Sequence, residues 1–267
     1  MCREKLIKWI ILLLIFMLGG PASQAQMVGN PVGNQGQGQW SLAVTGSFMT
    51  QLMGNETGYS TRWLVKSTYG IVPWLDLVAM IGASDLRLDS PSENSKDFSS
   101  KPGLAVGAGL TLTLKRETET QPLGMFAGAH LLRFPSKGQF DQTVSGEDII
   151  YLHREFRFEY DSREVLFFGG LSYRLGRFRL YGGGAGWMVS RLEKKMQYEY
   201  ENEDSKEFIS EQKNEYQSEV WSGALAGIEF WWPKTGYRIS FEGLYYDNEN
   251  FTLMVGIGQS GVLESGW

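Results

Sequence analysis

The sequence predicts an all-β fold, a closed antiparallel transmembrane β-barrel of about ten strands, with eight or twelve following if a segment has been split or fused. Three observations predict it. Residues 39 to 258 form a succession of period-2 segments, their aromatic and ionisable side chains fall on opposite parities, and the connections alternate between short and long. Composition narrows the rest. The 267 residues carry 25 basic and 30 acidic side chains, a net charge of -5. Without a basic excess, nucleic-acid binding through phosphate neutralisation is not expected. Mean hydropathy is -0.24, and the chain lacks the repeated apolar runs of about 20 residues that a polytopic helical membrane protein needs.

The first element is a secretory signal at residues 1 to 25. Arg3, Lys5 and Lys8 precede the apolar stretch Trp9 to Leu18, and Ser23 and Ala25 occupy the -3 and -1 positions of a small-residue cleavage site. That apolar stretch is roughly half of a bilayer span, which argues against an anchor. The single cysteine, Cys2, leaves with the signal. The mature chain then has 22 basic and 29 acidic residues and no thiol for disulfide, metal-thiolate or nucleophilic chemistry. Residues 26 to 38 are rich in Gly, Asn and Gln, too poor in apolar surface to order themselves, and read as a flexible periplasmic leader.

Ten strands follow, at about 39 to 49, 60 to 70, 75 to 87, 103 to 115, 122 to 134, 163 to 175, 177 to 191, 217 to 232, 236 to 247 and 250 to 258. In the fourth, Leu104, Val106, Ala108, Leu110, Leu112 and Leu114 alternate with Ala105, Gly107, Gly109, Thr111 and Thr113. In the last, Phe251, Leu253, Val255 and Ile257 share a face opposite Thr252, Met254, Gly256 and Gly258. Alternation alone does not say whether the apolar face meets a core or lipid. A soluble lipocalin-like barrel, with the apolar parity inside, is the fold-level alternative.

The aromatic residues favour lipid. Trp40 with Phe48, Trp63 with Tyr69, Tyr181 with Trp187, and Tyr237 with Tyr245 stand six or eight residues apart, on one face near opposite strand ends. That separation is roughly 20 to 26 Å, close to the apolar band of about 25 Å between two aromatic girdles. The other parity carries Arg62, Lys66, Asp76, His130, Arg174, Glu229, Arg238 and Glu242. Such groups are costly in an apolar core but can pair with each other or with water in a polar lumen. Arg179 departs from this parity and is expected at the periplasmic rim. Inner turns at Gly70 to Trp74, Arg116 to Gln121, Gly176 and Trp232 to Tyr237 are short; outer connections at about 50 to 59, 88 to 102, 135 to 162 and 192 to 216 are mostly long and polar.

Tyr69-Gly-Ile-Val-Pro-Trp-Leu-Asp-Leu-Val-Ala-Met-Ile-Gly82, Arg179-Leu-Tyr-Gly-Gly-Gly-Ala-Gly-Trp187 and Ala224-Leu-Ala-Gly-Ile-Glu-Phe230 together resemble small bacterial outer-membrane β-barrels of the opacity-protein and outer-membrane-protein-A-like kind. The resemblance is dispersed over residues 40 to 258 and implies an architecture, not an activity. One departure is the C-terminus. In that family the last strand ends on an aromatic, whereas here the apolar alternation stops near Ile257, and residues 259 to 267 are read as a tail.

Candidate chemistry is sparse. The two histidines are His130, within a strand and read as a lumen polar group, and His153, read as a solvated hairpin residue. Neither shows the His-x-Ser arrangement expected, by resemblance, of lipid-deacylating barrels. The ten-strand outer-membrane proteases need a paired-Asp motif and an Asp-x-His motif, but here Asp85 and Asp89 are four apart and Tyr151 stands two before His153. Glu199, Glu201, Glu203, Asp204 and Glu207 could collect a hard cation, yet interspersed lysines and the lack of Asp-x-Asp spacing favour a solvated acidic hairpin. No catalytic, metal or cofactor site is expected.

The candidate site is therefore a lumen polar network of Glu229, Arg238, Glu242, His130 and Arg174, with Arg238 placed between the two glutamates. The leading expectation is a non-enzymatic outer-membrane barrel whose lumen is plugged and whose hairpins at 135 to 162 and 192 to 216 protrude for structural or surface contact. Expected partners are outer-membrane lipid and lipopolysaccharide, the barrel-assembly machinery, and an extracellular partner met through the loops; the chain is expected to be a monomer. A small passive pore is the alternative, favoured by Gly107, Gly109, Gly182, Gly184 and Gly186 on the lumen parity and opposed there by Phe126, Phe168, Trp221 and Trp231. A barrel lipid hydrolase or protease is the third reading.

Overall fold

A computed structural model of the chain describes residues 37–53, 56–89, 98–145, 151–200, 206–217, 221–232, 234–246 and 251–261. The expected signal peptide, the leader before residue 37, and residues 262–267 lie outside them. The strands are β1 (Trp40–Met53), β2 (Glu56–Val72), β3 (Leu75–Ser84), β4 (Arg87–Asp89), β5 (Phe98–Ser99), β6 (Gly103–Lys115), β7 (Leu123–Ser145), β8 (Tyr151–Leu175), β9 (Phe178–Tyr200), β10 (Glu207–Gln217), β11 (Trp221–Trp231), β12 (Tyr237–Tyr245) and β13 (Phe251–Gly261).

Ten of them close a ring in the order β1, β2, β3, β6, β7, β8, β9, β11, β12, β13 and back to β1, every described pairing in it antiparallel. The other three extend ring strands. β4 continues the register of β3 along β2, since Arg62 faces Ser84 and Tyr59 faces Arg87. β5 folds back on β4. β10 continues the line of β11 along β9, from Trp221 opposite Trp187 to Gln217 opposite Ser190 and onward.

Closure rests on two seams. β1 pairs with β13 from Trp40–Gly261 to Thr50–Phe251, so the last strand continues through Gln259 and Ser260 to Gly261, four residues beyond the alternation's apparent end at Ile257. β1 joins β2 at the long-loop end through Gln51–Gly58 to Met53–Glu56, and at the other end through Gly38 N–H to Gly70 O (2.8 Å) and Gly70 N–H to Gln39 O (3.0 Å). Between them the Thr45 hydroxyl donates to Leu64 O at 3.0 Å. At Gly46 a Cβ would lie 2.7 Å from the Trp63 ring, so a larger residue there needs that indole to move. The short turns fall where the sequence places them. At Gly176 the chain reverses between β8 and β9 with φ of 58°, a left-handed conformation glycine adopts without a Cβ clash.

Burial follows the pleat. On β6, Leu104, Val106, Leu110 and Leu114 are exposed while Ala105 and Thr111 are buried. Trp40, Leu42 and Val44 on β1, Phe167 and Leu171 on β8, and Tyr237, Phe241 and Tyr245 on β12 also face outward. The interior holds Met49, Phe126, Leu166, Phe168, Tyr181, Trp187, Leu225 and Leu244 in one apolar cluster and Leu64, Val78, Met80, Leu132, Phe134 and Met254 in another. Buried beside them are Arg62, Lys66, Asp76, His130, Glu164, Glu229 and Glu242. Large apolar side chains outside and charged groups inside invert the pattern of a soluble barrel. They fit a wall facing lipid, in which backbone groups are satisfied by ring closure and ionisable groups avoid hydrocarbon.

On β9 the expected parity is reversed. Tyr181 and Trp187 are buried inside and are not girdle residues, whereas Gly182, Gly184 and Gly186 lie on the outward parity and leave no space in the lumen. The register decides it, because Leu166 and Phe168 of β8 point inward and stand directly opposite Trp187 and Ala185. Arg179 shares that inward parity and does not break the pattern.

β7, β8 and β9 outrun the ring. Beyond it, with β10 alongside, they make a four-stranded wall of residues 135–145, 151–162, 191–200 and 207–217.

Candidate functional site: a charged, filled lumen

Arg62 on β2 and Glu164 on β8 meet across the lumen from strands four places apart in the ring of ten. Both terminal guanidinium nitrogens, Nη1 and Nη2, donate to the carboxylate, at 2.6 and 2.6 Å, with side chains 0% and 2% exposed. This fork-on-fork geometry is the strong form of an Arg–carboxylate pair. Arg62 also donates Nε to the Ser60 hydroxyl at 3.1 Å and lies 4.6 Å from the Phe134 ring centroid. Every polar edge of the pair thus meets a partner or an aromatic face, the condition under which buried charge is tolerated. Toward the long loops, Leu86, Leu88 and Tyr160 pack together above it.

The second charged group lies at the short-turn end. Arg179 donates Nη1 to Glu229 at 2.5 Å and Nε to Glu117 at 2.8 Å. Glu117 comes from the turn between β6 and β7, which folds inward so that its carboxylate is buried. Arg238 approaches the other oxygen of Glu229 at 3.8 Å. Glu242 accepts the Tyr181 hydroxyl at 3.0 Å, and buried Lys66 is within electrostatic reach of Asp76 and Glu242. A polar hollow of about 50 Å³ touches Lys66, Glu229, Arg238, Thr45, Thr68 and Thr111. It has room for roughly one or two waters. A larger concavity, about 610 Å³, is lined mainly by outward residues such as Trp40, Leu77, Ala108, Leu110 and Leu131, and so opens on the barrel's exterior.

Of the residues singled out from sequence, Glu229 and Arg238 come together, with Arg179 as the closer partner of Glu229. Glu242 is bonded by Tyr181. His130 is buried with its ring edge-on to Phe168, centroids 5.0 Å apart. Arg174 lies half-buried at its own turn, over the Trp231 ring at 5.0 Å with Nε 3.4 Å from Gly176 O. Gly107 and Gly109 face inward, but their space is taken by Met80 and Leu132 and by His130. Three participants escaped the sequence reading. Glu164 was legible, since it shares parity with Leu166 and Phe168 on one strand. Arg179 was visible but assigned to the wrong face. Glu117 sits in a turn, where no periodicity marks direction.

The wall carries a different electrostatics. Hydrogen bonds from Arg133 hold Asp161 below the usual carboxylate range. At Glu155 burial pushes the carboxyl up, but hydrogen bonds from Lys206 and Arg157 outweigh it and the net direction is down. Lys213 and Lys194 lower Glu211. On the wall's inner face Arg191 lies over Tyr160 and Lys195 over Phe156. Glu199, a member of the acidic run, is held by Arg154 at 2.6 Å. Residues 201–205, which carry Glu201, Glu203 and Asp204, lie outside the described residues, as does the side chain of His153.

Fold and site together define a closed ten-strand antiparallel barrel with an apolar exterior and a filled, charged interior. Solved structures of similar fold include the outer-membrane protease OmpT from Escherichia coli (12% identity, covering 84% of this chain and 95% of that one, TM-score 0.38). Others are the translocator domain of the autotransporter NalP from Neisseria meningitidis (12%, 85% and 90%, TM-score 0.45) and an outer-membrane channel from Pseudomonas putida F1 (11%, 91% and 99%, TM-score 0.34). No protein-family profile matches the sequence, and no curated protein does.

Proposed function

We propose that the chain is a non-enzymatic bacterial outer-membrane barrel, exported by its N-terminal signal, whose lumen is sealed by side chains and whose projecting wall makes contacts outside the membrane. The observation that carries the reading is the Arg62–Glu164 pair, which ties nearly opposite walls together at the level where a pore would need open space. Barrels near this strand number have interiors just wide enough for side chains, and two apolar clusters occupy the remaining volume. Placement in a membrane is supported by the exposed Leu, Val, Phe, Trp and Tyr of the outer wall. His130, engaged with Phe168 inside the plug, has the surroundings of a packing residue rather than of a general base.

The test is conductance of the purified barrel in planar bilayers. The wild type is expected to give no steady current, and Glu164→Ala with Arg62→Ala is expected to introduce channel events. Stable, resolved channels from the wild type would move the assignment to a passive pore.

A further inference from the structure

We propose that Arg133 and Arg163, on the outer face where the wall leaves the membrane, bind the phosphate of an outer-leaflet lipid headgroup. The two arginines stand directly opposite each other in the β7–β8 register. Like charges so placed destabilise an antiparallel pair unless an anion lies between them. One carboxylate does: Asp161 accepts from Arg133 at 2.8 and 2.9 Å, while the Arg163 guanidinium reaches it only at 3.6 Å. Two cations thus share one anion, with side chains 58% and 61% exposed. Arg163 has most of its donor fork free of that carboxylate.

Position selects the ligand. The outward residues next to this pair toward the short-turn end are Leu131, Val165 and Phe167, of which Leu131 and Phe167 are prominently exposed. Toward the tip they are Pro135, Asp161, Lys137 and Glu159. Arg133 and Arg163 are therefore the first charged row above the apolar band, at the depth of lipid headgroups. Two rows higher on the same face, Glu159 stands opposite both Lys137 and Lys194, and Lys194 and Lys213 each meet Glu211 at 2.9 Å, so three lysines face two carboxylates. Local cationic excess thus sits at the membrane boundary of a chain whose net charge is -5. A guanidinium pair matches a phosphate's oxygens with parallel hydrogen bonds. A lipid is favoured over a free anion because Leu131 and Phe167 lie directly below to contact its acyl chains.

This rests on the membrane reading of the barrel and not on whether the lumen conducts. Its test is native mass spectrometry of the full-length barrel from detergent containing diphosphoryl lipid A or its dephosphorylated form, with carbonate extraction of the same protein from vesicles. Expected are selective retention of the phosphorylated lipid, an affinity loss of about tenfold or more in R133Q/R163Q, and a smaller loss in R163Q, which leaves the Arg133–Asp161 pair intact. Heat-modifiable migration on gels checks that each variant is folded. Equal retention of both lipids, or undiminished retention in the folded double variant, overturns the proposal while leaving the membrane reading in place. Displacement by millimolar inorganic phosphate with no preference for the lipid also overturns it, in favour of a generic anion site. Extraction of the wild type by carbonate removes both readings together.

Discussion

Asp161 and Glu164 stand three residues apart on β8, and each accepts two hydrogen bonds from an arginine, yet the two pairs live in opposite environments. Glu164 points into the lumen and meets an Arg62 that is fully buried; Asp161 points outward and meets an Arg133 that is more than half exposed. The bonding geometry is alike and the surroundings differ. An exposed pair gains little, because water and salt screen it and both side chains lose freedom. A buried pair can be no better in net terms, since desolvation offsets the attraction, but removing one member strands the other in a dry site. The lumen pair is therefore a constraint on shape, closing the barrel, and the wall pair is a surface feature whose partners can be exchanged.

The comparison breaks most sharply at Arg62. Arg62→Ala is expected to cost about 3 to 5 kcal/mol by isolating the Glu164 carboxylate, measured as the loss of folded, heat-modifiable barrel in a urea titration, whereas Arg133→Ala should barely shift the same curve. Equal effects would mean that water reaches the lumen pair. Next comes the face assignment. Leu110→Arg, which projects into lipid, should destabilise by about 2 to 4 kcal/mol and impair assembly into vesicles, while Thr111→Arg on the inward parity should do so less; a reversed order would turn the wall inside out.

Arg238→Ala sharpens the contrast within the lumen itself. From sequence alone Arg238 is the guanidinium between two carboxylates and its loss should be severe. In the structure Glu229 retains Arg179 at 2.5 Å and the site borders a small polar hollow. The expected loss is therefore smaller than at Arg62, about 1 to 3 kcal/mol, read from the same titration.

The smallest effect is that of pH on the wall. Glu155 and Glu211 have carboxyls held below their ordinary value of 4.5 by hydrogen bonds from Lys206 and Arg157 and from Lys213 and Lys194. A carboxyl depressed on folding contributes stability that is present above its ordinary value and is lost as the pH falls through the depressed one. Acidification through those depressed values should make the wall, residues 135–145, 151–162, 191–200 and 207–217, susceptible to limited proteolysis while the barrel stays heat-modifiable. Simultaneous loss of both would show that wall and barrel are one cooperative unit.

Strand number, boundaries at β6 and the order of short and long turns were legible because a strand's burial alternates along the chain, and Leu104 to Leu114 write that alternation in residue type. Three of the four aromatic pairs were legible for the same reason. Parity on β9 was not. In Tyr181-Gly-Gly-Gly-Ala-Gly-Trp187 the two large residues share one parity with Gly183 and Ala185, and glycines fill the other, a pattern that suits a girdle facing lipid as well as a plug facing the lumen.

The sequence by itself determined that this is a β-barrel with apolar and ionisable residues on opposite faces, since that follows from a two-residue period within each strand. Only the tertiary structure decided which charges meet. Arg62 with Glu164 and Arg179 with Glu117 join residues 102 and 62 positions apart, and which ones face each other depends on the register between neighbouring strands, on ring closure, and on a turn that folds its glutamate inward. Across a tight turn register is local, which is why Glu229 and Arg238 could be placed together from the sequence; across the ring it accumulates strand by strand, and no single segment's pattern of residue types encodes which distant charges meet.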